Sequence, residues 1–126
     1  MWRPTIGLGL GLVVLICCGG CPTTPAEVER PVTPEMLNPL GSPDNPVRCY
    51  LLRGQLAYLS RLRCPDGNKP TFHRIGSFGE GPYGNIIDGY RVRCSPDSEG
   101  VIIFMDMYHP GYVETEPVPG FTIVPP

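Results

Sequence analysis

Six cysteines, two histidines and a few carboxylates carry most of the chemistry open to this 126-residue chain. Cys49, Cys64 and Cys94 lie well downstream of Cys17, Cys18 and Cys21. A cysteine acts as a nucleophile only when a neighbouring imidazole or cation lowers its pKa. His73 and His109 are the only imidazoles, and no local motif joins either to a cysteine. Two histidines without a third ligand at characteristic spacing do not define a metal centre. The sharpest enzymatic reading is therefore an acid/base or small metal site built on Asp88 and His109, with Asp106 and His73 in support. The competing reading of the same residues is a pair of cross-strand ion pairs.

The segment Gly76-Ser77-Phe78-Gly79-Glu80-Gly81-Pro82-Tyr83-Gly84-Asn85 is rich enough in glycine to suggest a phosphate cradle. It lacks the Lys-Ser/Thr ending of a P-loop and a following helix, and Glu80 would repel phosphate. Glycines that enforce turns explain it better. Phe78, Glu80, Tyr83 and Asn85 then become a candidate binding loop, because aromatic and polar groups on loops supply recognition surfaces. The run Met105 to Tyr112 is similarly aromatic.

Positioning these groups requires a framework. From Val47 to Leu62, the apolar residues Leu51, Leu52, Leu56, Tyr58, Leu59 and Leu62 share one arc at about 100° per residue, the period of an amphipathic helix. Asn45 before Pro46 is a plausible cap, although Gly54 weakens the early turns and moves the expected start towards Leu52. The turn Cys64-Pro65-Asp66-Gly67-Asn68 ends the helix. Strands are expected over Phe72 to Phe78, over Ile86 to Cys94 with alternating patterning, and over Val101 to His109. Pairing Val92 with Ile103 across the 95–100 turn sets Asp88 diagonal to His109 on one face and Asp106 diagonal to Arg91 on the other. The expected fold class is α+β: one helix on a small three- to four-stranded, mainly antiparallel sheet, with disordered Pro-rich ends.

The helix restricts cysteine pairing. Cys49 and Cys64 would lie roughly 20 Å apart along it, beyond reach of a bridge, so Cys94 is half of any intrachain disulfide. Arg61-Leu62-Arg63-Cys64-Pro65-Asp66 echoes Arg91-Val92-Arg93-Cys94-Ser95-Pro96-Asp97, each placing a cysteine at the end of an element before a turn. The echo favours Cys64 with Cys94, leaving Cys49 buried or bonded to another chain; Cys49 with Cys94 is the alternative.

The amino terminus is a positively charged start, Met1-Trp2-Arg3, an apolar run from Ile6 to Ile16, and Cys17-Cys18-Gly19-Gly20-Cys21-Pro22. This is the pattern of an export signal, and it is shorter than the roughly 20 apolar residues of a spanning helix. It resembles the signal peptides of bacterial lipoproteins, in which a cysteine after a short box of small residues is acylated and becomes the first mature residue. Cys21, preceded by Gly19 and Gly20, fits best, although Cys18 stands where the family usually has leucine. Cys18 itself is a poorer fit. The resemblance implies a lipid anchor of two or more acyl chains on Cys21, enough for stable membrane attachment. It also implies export to the cell membrane or outer membrane, facing the periplasm or exterior. Pro22 in place of the aspartate of retained inner-membrane lipoproteins favours the outer membrane in a host that has one. As a whole the chain looks like a small, uncharacterised bacterial lipoprotein, and that likeness transfers no functional residue beyond the anchor.

Removing Arg3 with the signal reduces 10 basic residues to 9 against 12 acidic ones, a net charge of −3 with His neutral. The expected organisation is a signal peptide over 1–20, a lipid anchor and Pro-rich linker over 21–43, a small globular domain over 44–113 and a Pro-rich tail over 114–126. The linker holds too few large apolar groups to bury and is an extended spacer. In the tail, Phe121, Ile123 and Val124 are apolar enough to dock as an edge segment. Residues 44–113 contain eight basic and seven acidic side chains. That near-neutral balance lacks the basic surplus that binds nucleic acid. No cofactor is implied. The reading with most support is a lipid-tethered, non-enzymatic binding or envelope-assembly module with a membrane and an envelope protein or polymer as partners. The alternatives are a small envelope hydrolase or metal-dependent enzyme using Asp88 and His109, and an inhibitor-like domain presenting the glycine loop.

Overall fold

The computed structural model describes residues 38–126 together with Gly7, Gly9, Gly11, Gly19 and Gly20. The expected acylation site at Cys21, the rest of the signal segment and the linker up to residue 37 lie outside the described residues. Elements follow in the order β1 (Val47–Arg48), α1 (Leu51–Arg61), β2 (Leu62–Arg63), β3 (Thr71–Glu80), β4 (Ile86–Arg93), β5 (Val101–Asp106) and β6 (Thr122–Ile123). The main sheet has the order β1-β5-β4-β3, antiparallel except for the β1–β5 pair, and β2 with β6 forms a separate antiparallel pair. The architecture is α+β, as the patterning predicts.

The helix begins later than the Asn45-Pro46 signal suggests, because Val47 and Arg48 are recruited to the sheet opposite Met105 and Asp106. Asn45 instead closes a tight turn: its carbonyl accepts from the Gly41 amide at 2.8 Å and its side chain donates to the Asn38 carbonyl at 3.0 Å. Tyr50 is the N-cap and makes no side-chain cap. Leu51 follows with φ of 58°, a left-handed conformation that costs roughly 1–2 kcal/mol for a residue with a Cβ. Its amide donates to the Met107 carbonyl at 2.8 Å, which ties the helix start to the chain leaving β5.

This start fixes the rotation of α1. The face turned inward is Gln55, Tyr58 and Leu59, continued by Leu62, at i, i+3, i+4 and i+7. Leu51, Leu52 and Leu56, assigned to the buried arc by periodicity, are exposed. Gly54 packs where α1 passes Cys49, whose Cβ would lie 3.2 Å from a Cβ added at this glycine. The core forms where Tyr58, Leu59 and Leu62 meet Tyr90, Val92, Ile103 and Met105 on one face of the sheet. Val118 joins it from the tail.

Residues 114–126 dock over more than an edge segment. Tyr58 Oη donates to the Glu116 carbonyl at 2.9 Å and accepts from the Val118 amide at 3.1 Å. Arg61 donates to the Glu114 carbonyl at 2.7 Å, and Ile123 stands opposite Leu62 in the β2–β6 pair. At the other boundary, Leu40 packs on the core and the Gly41 carbonyl accepts from the Phe104 amide at 2.8 Å, so the folded unit begins before Asp44. Cys64 and Cys94 form a disulfide with their Cα atoms 5.8 Å apart, and Cys49 is free and buried. The two echoing segments are thus joined to each other.

The register of β4 and β5 differs from expectation by two residues: Val92 faces Val101, and Ile103 faces Tyr90. Gly100, at φ of 73°, lies so close to the Val92 carbonyl that a Cβ would sit 2.2 Å from its oxygen, which draws the following strand inward. An even shift leaves each residue on its face but changes its neighbours. Asp88 faces Met105 rather than standing near His109, and Arg91 donates to the Glu99 carbonyl at 2.8 Å instead of meeting Asp106.

Candidate functional site

The β3–β4 hairpin builds the site. The Gly81 amide donates to the Asn85 carbonyl at 2.7 Å and the Gly84 amide to the Gly81 carbonyl at 3.1 Å, closing a tight loop. Gly81 is required by approach: a Cβ there would lie 2.5 Å from Ile87 Cγ2. On the sheet face away from α1, the Phe78 ring occupies the space over Gly89 and meets Phe104 edge to face with centroids 5.1 Å apart. Phe78, Phe104, Ile87 and Pro82 then line a cleft of about 430 Å³, with Pro43, Asp44 and the end of β3 completing its wall. Asp44, Phe78 and Glu80 are all exposed.

A second cluster adjoins the hairpin tip. Asp106 is wholly buried; its carboxylate accepts from Asn85 Nδ2 at 3.1 Å and from the Tyr108 amide at 3.1 Å. His109 Nε2 lies 3.1 Å from Asp106 Oδ2, within ion-pair range but without hydrogen-bond alignment. Tyr83 meets the His109 ring edge to face at 4.9 Å. Arg48 lies 4.0 Å from the Tyr112 ring and 5.4 Å from that of Tyr83, and its guanidinium donates to Tyr112 Oη at 2.8 Å. Tyr112 in turn donates to Glu114 at 3.1 Å. Burial, followed by the Glu114 carboxylate, raises the Tyr112 pKa.

Asp88 belongs to another network on the helix side. It accepts from Arg74 at 2.7 Å, Gln55 Nε2 at 2.9 Å and Ser77 Oγ at 3.1 Å, and Gln55 Oε1 accepts from Tyr90 Oη at 2.8 Å. Burial alone would raise the Asp88 carboxyl, but the hydrogen bonds from Arg74, Gln55 and Ser77 outweigh it and hold the group below its usual range. A base needs a free lone pair aimed at substrate, and these partners occupy the carboxylate. Cys49 is equally ill suited to nucleophilic work: burial, then the charges of Asp106 and Asp88, push its thiol up to about 12.

The candidate residues thus separate. Asn85, Tyr83 and His109 converge on Asp106, Phe78 lines the cleft whose wall the Glu80 end of β3 completes, Asp88 faces α1, and His73 stands exposed opposite Arg91. Among the described residues no group of three or more His, Cys, Asp or Glu side chains is placed to hold a metal ion. Gln55, Arg48 and Glu114 escaped the sequence reading; only Gln55 left a signal, as the polar member of the inward i, i+3, i+4, i+7 set. No protein-family model, curated protein or solved structure matches the chain.

Proposed function

We propose that this protein is a non-enzymatic binding or assembly module of a bacterial envelope, tethered to a membrane through acylated Cys21 and recognising a partner with the sheet face that α1 leaves uncovered. The observation that carries this reading is the contrast between that face and the protein's polar groups. Asp88 is internally paired and Cys49 is buried and protonated, whereas Phe78 is 47% exposed and Ile102 37% exposed. Apolar groups grouped beside a cleft on a small domain are a recognition signature. The hydrolase alternative would require Asp88 and His109 to act together, and the separation of their networks favours binding instead. The anchor rests on the resemblance of Cys17-Cys18-Gly19-Gly20-Cys21 to a lipoprotein signal.

Photo-crosslinking from position 83 in intact cells tests the recognition face, with the same probe at position 66 on the disulfide turn as control. A partner captured from position 83 alone is expected; equal capture at both, or none, defeats the reading. Fatty-acid labelling that survives Cys21→Ala defeats the anchor.

A further inference from the structure

We infer that the uncovered sheet face takes an acidic, extended segment of a protein partner on a row formed by Arg91, Arg93 and His73, an assignment that deepens the binding-module reading and rests on it. The strand register builds this row. Tyr90, Val92, Ile103 and Met105 are buried towards α1, so alternation turns Arg91, Arg93 and Ile102 to the other face. The β3–β4 register is regular from Thr71 to Arg74, which sets the exposed His73 directly opposite Arg91 and Thr71 opposite Arg93. Ile102 stands opposite Arg91 on the β5 side and is itself exposed.

The row is uncompensated among the described residues. No carboxylate there forms a salt bridge with Arg91, Arg93 or His73, although Asp97 and Glu99 lie in the adjoining turn. Arg91 donates to the backbone carbonyl of Glu99, and Arg93 Nε is buried without an acceptor. The other charged strand residues of this face are already engaged. Arg48 is held against Tyr112 and Tyr83, and the buried Asp106 accepts from Asn85. Arg74, which faces α1, is paired with Asp88 at 2.7 Å.

Guanidiniums fork onto carboxylates, and an imidazole adds a further donor. Side chains two apart on a strand recur at about 6.6 Å, so carboxylates at alternate positions of an extended peptide match the pitch of Arg91 and Arg93. Beside the row, Ile102 and, two residues further along the same face, Phe104 offer apolar cover. A polymer of phosphate or sulfate groups has nothing to set against those side chains, and a basic segment is repelled. A segment with acidic residues two apart and an apolar residue next to them answers both. Asp44 borders only the Phe78–Phe104 end of the face, away from the row.

The test uses the full-length acylated protein in phosphatidylcholine nanodiscs as bait for a random-peptide phage library. Selected peptides are expected to carry Asp or Glu two residues apart beside an apolar residue. Synthesised and read by fluorescence anisotropy, they are expected to bind about tenfold more weakly to the Arg91→Gln/Arg93→Gln double variant. Ile102→Glu, which sets a carboxylate beside Arg91 in place of the partner's, is expected to weaken binding comparably. Arg53→Gln, which removes a charge from α1, should leave it unchanged. The assignment is overturned by selection of neutral or basic peptides, by binding that survives both changes to the row, or by an equal loss in Arg53→Gln. Tighter binding of phosphatidylglycerol vesicles than of the peptides through Arg91 and Arg93 overturns it in favour of a lipid headgroup. A partner crosslinked at position 83 that presents no Asp or Glu to Arg91 or Arg93 removes the acidic segment and leaves the binding module standing, whereas no capture at position 83 removes the module itself.

Discussion

Phe78 and Gly89 occupy one site between them: a Cβ at Gly89 would sit 2.4 Å from the ring, so the aromatic wall of the cleft exists only because its cross-strand neighbour has no side chain. Gly89→Ala is expected to displace the Phe78 ring and cost about 1–3 kcal/mol through overpacking. Chemical denaturation gives the energy. The loss of close ring contacts between Phe78 and Phe104 in nuclear Overhauser spectra gives the structural cause.

The buried amide of Gln55 holds two polar partners, Asp88 and Tyr90, at 2.9 and 2.8 Å. Gln55→Ala strips a hydrogen bond from each and leaves a cavity, with an expected loss of about 2–4 kcal/mol. Gln55→Glu should also be disruptive at neutral pH, since it sets a second carboxylate against Asp88. Thermal melts of the two variants are the measurement.

Because the Asp88 carboxyl is held below its unfolded value, its contribution is present above that value and is lost as pH falls through the folded one. Stability is therefore expected to decline below about pH 4, with a shallower acid limb in Asp88→Asn. Cys49 acts at the other end. Its raised pKa means that the stabilisation is complete below the unfolded value of 9.0 and falls away as pH rises towards about 12. Iodoacetamide at pH 8 should leave the native thiol unmodified and label it once denaturant is added.

Among the described residues, Tyr58 Oη is the one side-chain atom that both donates to and accepts from the docked tail. Tyr58→Phe keeps the ring but orphans the Val118 amide and the Glu116 carbonyl, and is expected to cost about 1–3 kcal/mol. Amide exchange should accelerate over residues 114–124 well before it does in β4.

The elements that alternate or repeat cleanly were legible. The arginine and valine alternation of β4, the helix period and the cysteine echo gave the architecture and the Cys64–Cys94 bridge. Relations between elements were not. The two-residue register offset follows from Gly100 folding against Val92, a contact that local patterning does not encode. The exposed leucines of α1 follow from the Tyr50–Tyr108 bridge and the left-handed Leu51, which rotate the helix about its axis. Of the site, the loop residues Phe78, Glu80, Tyr83 and Asn85 could be found by type, but the pairing of Asn85 with Asp106 depends on where β5 ends.

The cystine closes a span of 30 residues that contains the whole β3–β4 hairpin. A protease cutting the chain at its Pro82–Gly84 tip would therefore release no fragment: both halves would stay joined at the base, each still paired to its neighbour. A cut at that exposed tip becomes a nick without loss of mass, visible on a gel only after reduction.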